Sequence, residues 1–344
     1  MMKTTIHSRS AMPLRQCLFL LWMGIIAVMS PDRLVCGQEP TGNSLEIRTE
    51  EDYFSAYING QMALRYKYKQ VPFKPYIKEL YTPLGLNILL DSPSDHVHHR
   101  GLMFAIGVDN IGFWEETGTS GKQVHEENFS VSTVSDENEL RGTFSDTLNW
   151  VDPKTDELLL NEKRCVSVQR IKGVNATVLT WESKLAVPTA KKKVTLFGSH
   201  YYGLGMRFIR SMDGNGTFLN ADEKQGEIFR GEERLVRSSW CAYTARAGEK
   251  EITVAMFDDP ANTRYPATWF TMAKPFAYLS ATMSLHTQAQ ELSCEKPITL
   301  RYGIALWDGK IDSKQIESLY QRWLETLKTD QKKNPQKNKE NSND

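Results

Sequence analysis

The sequence has few cysteines and no excess of charge of either sign. Five cysteines occur in 344 residues, and 42 basic residues balance 42 acidic ones. Two cysteines lie in a predicted N-terminal leader, and three would remain after its removal: Cys165, Cys241 and Cys294. Their wide spacing matches neither a zinc site nor a redox motif, so one disulfide is the most they could form. The balanced charge gives no electrostatic reason to expect nucleic acid or an anionic membrane as a partner.

Long apolar runs are scarce, and the one present lies at the N-terminus. Basic residues precede the apolar run 17–29, and small residues just before Gln38 suit cleavage, which is the pattern of a secretory signal peptide. No other stretch is long and apolar enough to cross a bilayer. We expect a signal peptide over residues 1–37 and a secreted or periplasmic protein with no membrane span after the leader. Removing four basic residues and one acidic residue with the leader leaves 38 basic and 41 acidic, a net charge near −3.

Helical periodicity is rare, whereas strand patterns recur along the chain. Residues 62–69 alternate in polarity after the turn dipeptide Asn59-Gly60, and similar runs separated by turn residues continue to residue 306. The charged, glycine-bearing stretch 211–234 predicts a long loop. The 3.6-residue period appears in 316–327, preceded by a capping pair at Asp312 and Gln315.

These patterns predict an all-β fold of one domain. We expect a large antiparallel β-sandwich over residues 38–328, similar to the galactose mutarotase supersandwich and closed by one C-terminal helix. Residues 329–344 have almost no apolar content, which predicts a disordered tail.

Histidines are few but concentrated in one segment. Three of the seven fall in Asp95-His-Val-His-His-Arg100, directly before the apolar run 102–108, which predicts a buried strand. Histidine titrates near neutral pH, and crowding beside opposite charges shifts its pKa in ways that a structural core rarely needs. In an extended segment, His96 and His98 would point to one face and His99 to the other. The segment therefore predicts a functional site at the mouth of a core strand.

The residue types in this segment leave three interpretations open. In the first, His96 and His98 bind zinc, iron or copper with a distant ligand such as His125, His200 or a glutamate. In the second, one histidine moves a proton as a general acid or base, and Asp95 fixes its tautomer. In the third, the cluster only binds a ligand or ties loops together. The spacing does not decide among them.

Further candidate residues lie near glycines and prolines. His200 and Arg207 flank glycines at 203 and 205, which allow close backbone approach. The proline-stiffened stretch 258–266 and Trp269 supply an amide, a planar cation and aromatic rings, a combination that suits sugar recognition.

The predicted catalytic residues are His98, His99 and Asp95, and the predicted substrate-binding residues are His96, Arg100, Trp114, His125, His200, Arg207, Asn262, Arg264 and Trp269.

Several motifs together resemble the bacterial PmoA-like family, which carries the label "methane oxygenase PmoA" and has no characterised function. The resemblance covers roughly residues 70–310. It rests on His96-Val-His-His-Arg-Gly-Leu-Met-Phe-Ala105, Phe113-Trp114, His125, Gly203-Leu-Gly-x-Arg207, Asp259-Pro-x-Asn-x-Arg-Tyr-Pro266 with Trp269, and Lys274-Pro-Phe276. It implies an exported, β-rich protein of a kind found in bacteria rich in sugar-degrading enzymes. Methane oxidation is not carried over, because a membrane monooxygenase subunit needs several spanning helices that this sequence lacks after its leader.

The chain departs from the family pattern where histidines are usual. Asp259, Tyr265 and Phe270 occupy those positions, so chemistry that relies on those histidines would be altered here. We expect an exported protein acting on a small-molecule carbohydrate as a lyase, hydrolase or epimerase, with His98 or His99 as acid or base. The alternatives are a non-catalytic sugar-binding protein and a metal-dependent oxygenase holding a divalent metal. In each case we expect the histidine segment and the loop near Arg264 to share one hollow.

Overall fold

The computed structural model describes residues 44–135 and 140–333, all of which belong to one compact unit. The predicted signal peptide and the part of the predicted tail beyond residue 333 lie outside the described residues. Within these ranges no helix is long and apolar enough to span a bilayer.

Nearly all of the regular structure is extended strand. In chain order the strands are β1 (Leu45–Thr49), β2 (Tyr53–Ile58), β3 (Gln61–Lys67), β4 (Tyr76–Leu80), β5 (Leu102–Ala105), β6 (Gly107–Val108), β7 (Ile111–Gly112), β8 (Lys122–Ser135), β9 (Leu140–Val151), β10 (Leu158–Arg170), β11 (Thr177–Ala186), β12 (Lys193–Phe197), β13 (Gly203–Arg207), β14 (Thr217–Asn220), β15 (Glu227–Arg230), β16 (Glu233–Arg237), β17 (Trp240–Ala247), β18 (Lys250–Asp258), β19 (Thr268–Met272), β20 (Tyr278–Thr282), β21 (Gln290–Ser293) and β22 (Ile298–Asp308). A short 3-10 helix spans Arg210–Met212, and the helix α1 spans Ser313–Lys333.

The strands form three antiparallel sheets. The ten-stranded sheet has the order β1-β2-β3-β4-β5-β13-β20-β19-β16-β15, and the eight-stranded sheet has the order β14-β17-β18-β22-β11-β10-β9-β8. A small sheet of order β21-β12-β6-β7 lies beside them. The hairpin predicted at Asn59-Gly60 is present, with positive φ at both residues, because a tight turn between twisted antiparallel strands requires it.

The two large sheets pack face to face around an apolar core. Phe54 of β2 stacks on Phe144 of β9 with ring centroids 3.7 Å apart, and Tyr66 of β3 meets Trp181 of β11. Alternate residues of each strand point into this core, as the two-residue period predicts. The predicted all-β antiparallel sandwich is therefore confirmed.

The helix α1 covers the outer face of the eight-stranded sheet, as expected for an amphipathic helix that closes a sandwich. Its buried residues pack on that face, where Gly303 lets the Trp323 ring approach the backbone closely. Gln315 N–H donates to Asp312 Oδ1 at 2.8 Å and the Gln315 side chain accepts from Asp312 N–H, which is the predicted capping pair. The helix continues to Lys333, past the predicted start of the tail at residue 329, since no proline interrupts it before Pro335.

Candidate functional site

The histidine loop, residues 91–100, folds as successive turns rather than as an extended segment. His99 N–H donates to His96 O at 2.9 Å and His96 N–H donates to Pro93 O at 3.0 Å. These turns bring all three imidazoles together: ring centroids are 4.6 Å apart for His96 and His99, 4.7 Å for His98 and His99, and 5.8 Å for His96 and His98. The prediction that His99 points away from the other two is therefore wrong, because it assumed strand geometry.

His99 forms the buried base of the loop. Its ring packs on Tyr278 at 4.9 Å and on Phe276 at 5.5 Å, and its Nδ1 has no hydrogen-bond partner within the protein. Burial, followed by the nearby imidazoles of His98 and His96, lowers the pKa of His99 to about 2. His99 is therefore a neutral imidazole at physiological pH, able to offer one donor and one acceptor.

His98 and Glu115 form the partly exposed pair of the site. Their Nδ1 and Oε2 atoms lie 3.1 Å apart, within reach of proton transfer. Burial, followed by the charge of Lys74, lowers the pKa of His98 to about 4. Burial also raises the pKa of the Glu115 carboxyl. Glu115 is not among the predicted site residues, although a carboxylate directly after Trp114 and close in sequence to the predicted mouth of the core strand was the available signal.

Asp95 does not support His98 or His99, contrary to its predicted role. Its carboxylate contacts His96 Nδ1 at 3.2 Å, Arg207 Nη2 at 3.3 Å and Arg210 Nη2 at 3.4 Å. The turn at 93–96 directs this side chain toward β13, away from the other imidazoles. Asp95 therefore anchors the loop to the sheet through Arg207.

A buried ionic cluster lies behind the loop. Arg100 donates to the Glu116 carboxylate from Nε at 3.0 Å and from Nη2 at 2.5 Å, so its guanidinium is committed to the protein rather than to substrate. Lys74 Nζ donates to Glu116 Oε1 at 3.1 Å and to the Trp114 carbonyl at 2.9 Å. Burial lowers the pKa of Lys74 to about 8. This lysine was missed from the sequence, where nothing distinguishes it from surface lysines; it fixes the loop that presents Glu115.

The site lies on the outer face of the ten-stranded sheet. Register places Arg207 opposite Tyr278 and Gly205 opposite Ser280, so these four side-chain positions share one face of β13 and β20. The core lies against the other face, to which Leu204 and Met206 of β13 point. A Cβ at Gly205 would lie 2.3 Å from Tyr278 Oη and 3.0 Å from Trp114, so only glycine admits both rings there.

Several buried polar atoms at this face have no hydrogen-bond partner within the protein. They are Tyr278 Oη, Trp114 Nε1, Arg207 Nε, Arg207 Nη1 and His99 Nδ1. Arg207 is only 1% exposed and its guanidinium lies 3.7 Å from the centroid of Phe276, so it is a buried cation and not a surface arginine. A buried unpartnered polar group costs about 1–3 kcal/mol, and native proteins contain few of them. Such a concentration of donors and acceptors is typical of a site for a hydroxyl-rich ligand.

Trp114 is not an exposed stacking surface. The ring is fully buried and stacks on Tyr202 at 5.0 Å, with Tyr201 edge-on at 5.3 Å. Stacking of this ring on a substrate is therefore excluded: the ring supports the half-buried Tyr201 and Tyr202, and its unpartnered Nε1 is the one polar atom that it offers.

His125 lies away from the histidine loop. Its Nδ1 is 2.5 Å from Asp146 Oδ1, and its ring packs against Tyr68 and Phe129, where β8 and β9 meet the first strands of the ten-stranded sheet. The prediction that it joins the site is wrong, because β8 is the far edge strand of the other large sheet.

His200 is on the same sheet face but not in the histidine loop. Its Nε2 lies 3.0 Å from Glu233 Oε2 and its Nδ1 lies 3.2 Å from Ser199 Oγ. The ring stacks on Phe229 with centroids 3.8 Å apart.

The three candidates near residue 264 are structural. Arg264 donates to the carbonyls of Met283 at 2.8 Å and Gln288 at 2.9 Å. Asn262 is satisfied by Asp258 and by the backbone of Arg301. Trp269 is buried in the core and donates to Ser238 O at 2.7 Å. Their recognition groups are committed to the protein itself, which contradicts the predicted contact with substrate.

The hollow expected to be shared by the Arg264 loop and the histidine loop stays a prediction, but the Arg264 side chain does not reach the histidines of that loop. His99 packs on Tyr278, the first residue of β20, whereas Arg264 binds carbonyls that follow Thr282, its last residue. The strand separates the two groups by about 13 Å at roughly 3.3 Å per residue.

A metal site needs ligand atoms that converge on one point, which a group of neighbouring histidines does not provide by itself. Among the residues that the structure describes, no three His, Cys, Asp or Glu side chains meet in a group suited to hold a metal ion. In the histidine loop the rings of His96 and His99 stack, and His98 meets both of them edge-on.

The fold and site define a β-sandwich protein whose loops collect titratable and aromatic side chains over the outer face of one sheet. Residues 54–321 match a family of unknown function, DUF6807, and since this is more than half of the chain, the protein belongs to that family. No curated protein matches the sequence.

Solved structures with a similar outline include two galactosidases and a candidate mutarotase. The galactosidase domain of the α-galactosidase–sucrose kinase AgaSK has 8% identity over 77% of this chain, with a TM-score of 0.44. The α-galactosidase AgaA of Geobacillus stearothermophilus, in complex with raffinose, has 9% over 77%, with a TM-score of 0.42. YeaD of Salmonella typhimurium has 12% over 77% of this chain and 94% of its own, with a TM-score of 0.38. This chain spans only 42% and 41% of the two galactosidases, and similarities this low carry no functional argument.

Proposed function

We propose that this protein is exported and performs acid–base chemistry on a small-molecule carbohydrate at the histidine loop. The observation that carries the proposal is the set of buried, unpartnered polar atoms on Tyr278, Arg207 and His99 beside the titratable pair His98 and Glu115. Sugar hydroxyls both donate and accept hydrogen bonds, so they match a mixed set of this kind. Export of the protein remains a prediction and is part of this proposal. Its similarity to the PmoA-like family also remains a prediction.

The chemistry follows from the pair of titratable groups. The low pKa of His98 keeps its imidazole neutral, so one ring nitrogen has a lone pair that can take a proton. Glu115, on the Nδ1 side, fixes the tautomer in which Nε2 is the base and stabilises the imidazolium that forms. This is the role first predicted for Asp95. His99 and Arg207 hold the substrate and stabilise negative charge on an oxygen.

The proposal is tested by incubating the purified protein with a panel of sugars and measuring product by chromatography. We expect turnover of at least one sugar, lost in His98→Ala and in Glu115→Gln. Unchanged turnover in both variants would contradict the assigned roles. Binding measured by calorimetry without product would favour the non-catalytic alternative, and stoichiometric iron or copper in protein purified without chelator would favour the oxygenase.

A further inference from the structure

Aromatic rings continue from the histidine loop across the outer face of the ten-stranded sheet. We call this series the aromatic track; its members are His99, Tyr278, Phe270, Tyr201, His200 and Phe229. Successive ring centroids are 4.9, 6.2, 5.9, 4.9 and 3.8 Å apart. The track therefore joins the proposed reaction centre to a second group of polar and aromatic side chains.

The far end of the track is built by the hairpin of β15 and β16. Glu227 pairs with Leu235, which pairs with Phe270, so alternation along β15 places Phe229 on the outer face, where it stacks on His200. His286 approaches from the loop after β20, with its ring 6.0 Å from Phe229, and its Nδ1 is buried without a partner. A buried imidazole nitrogen without a partner thus occurs at this end as well as at His99, here beside an exposed aromatic ring.

The dimensions of the track exceed a single sugar ring. His99 packs on Tyr278, the first residue of β20, and His286 follows Thr282, its last residue, so the length of β20, about 13 Å at roughly 3.3 Å per residue, separates the two ends. Phe229 is 48% exposed although it is a large apolar side chain. Its neighbour Ile228 is 63% exposed and is paired with Arg234 on the opposite face of the hairpin.

We propose that Phe229 and His286, backed by His200, form a second sugar-binding subsite, so that the substrate is an oligosaccharide that reaches from the histidine loop to the exposed ring of Phe229. One sugar unit contacts His98 and Glu115, and a later unit stacks on the exposed face of Phe229 with a hydroxyl bonded to His286 Nδ1. This inference rests on the proposed function and specifies its substrate class. A flat apolar ring face against an aromatic side chain, with a polar group at the rim, is an effective carbohydrate contact.

The test is a calorimetric comparison of chain lengths. Glucose, galactose, mannose and xylose are each titrated beside their linear disaccharides and tetrasaccharides into the full-length wild type, Phe229→Ala and the matched control Ile228→Ala. Thermal melting of each variant confirms folding. We expect at least one tetrasaccharide to bind wild type about tenfold more tightly than its monosaccharide, a gain of the size expected from one aromatic contact.

The variants decide the inference. We expect Phe229→Ala to remove the gain for the tetrasaccharide and leave monosaccharide affinity unchanged, while Ile228→Ala retains the gain. Affinity independent of chain length, or an equal loss for monosaccharide and tetrasaccharide in Phe229→Ala, would overturn the second subsite while leaving the first intact. If none of these sugars binds wild type, the proposed function fails and the subsite fails with it.

Discussion

The Nδ1 atom of His98 lies 3.1 Å from Oε2 of Glu115, which arrives from the loop that follows β7. The loop is held by the bond from Lys74 Nζ to the Trp114 carbonyl, directly before Glu115. The position of the carboxylate is thus fixed by a buried lysine rather than by sequence proximity to the histidines. The pair is the reaction centre of the proposed function.

Removal of either member of the pair should abolish most of the activity. General acid–base catalysis contributes about 10²- to 10⁴-fold, so we expect kcat to fall by that factor in His98→Ala and in Glu115→Gln. Both side chains are partly exposed, so melting temperature should change little. Steady-state kinetics measured beside thermal melting separates the two effects. A loss of activity that follows only from unfolding would contradict the assignment.

The stability of the protein should fall in mild acid because of the histidine loop. The pKa is about 4 for His98 and about 2 for His99, below the ordinary 6.5 of the unfolded chain. Between these values the unfolded chain binds protons that the folded protein does not, so stability decreases as pH falls below 6.5. For His99, the more deeply buried of the two, the loss should be about 3 kcal/mol by pH 4.

The measurement is the free energy of urea unfolding at pH 7 and pH 4 in wild type and His99→Asn. We expect the variant to lose less stability between the two pH values, because it has one fewer depressed histidine. Equal losses would show that His99 is not a buried neutral imidazole.

Arg207 should matter for ligand binding and for stability. Arg207→Met removes the bond from Arg207 Nη2 to Asp95 that anchors the histidine loop, and it leaves the Asp213 carboxylate, 4.0 Å away, without this cation, so the variant should unfold at a lower urea concentration. Asp95 keeps His96 and Arg210 as partners in this variant. Sugar affinity should fall at least tenfold by calorimetry. A variant that is strongly destabilised yet binds normally would contradict a ligand-binding role for this arginine.

Gly205 should tolerate no side chain. A Cβ there would collide with Tyr278 Oη, so Gly205→Ala should displace the ring and cost about 1–3 kcal/mol, the usual price of overpacking. Gly112→Ala is the matched control, because nothing lies within 4 Å of a Cβ at that position. Urea unfolding and sugar binding measured for both variants test this; similar behaviour of the two would count against close packing of Tyr278 on β13.

The sheets could be predicted from sequence because strand periodicity is local. Alternation and turn dipeptides such as Asn59-Gly60 place the strands, and the capping pair at Asp312 and Gln315 places the helix. The strands β14 and β15 were missed inside the predicted loop 211–234. The partner of β14 is β17, 21 to 27 residues further along the chain, so no local pattern marks that pairing. β15 forms a local hairpin with β16, but it has only four residues between charged and glycine residues that are typical of a loop. Phe229 was missed together with β15.

The site was predicted only in part, because it depends on backbone turns and long-range contacts. The histidine loop was located, but turns at Pro93 and His96 reverse the predicted direction of His99. Arg264 and Trp269 have the residue types that bind sugars, yet they bond to backbone carbonyls. Residue type alone does not distinguish these uses. Tyr278 became a candidate only through its register opposite Arg207.

The central claim is that sugar binds at the histidine loop, and nitrogen-15 NMR of histidine-labelled protein tests it most directly. His125 serves as an internal control, because it lies against Asp146 in the other sheet. The account predicts that a sugar from the panel shifts the ring-nitrogen signals of His98 and His99 and leaves that of His125 unchanged. Saturable sugar binding that leaves the signals of His98 and His99 unmoved would contradict it.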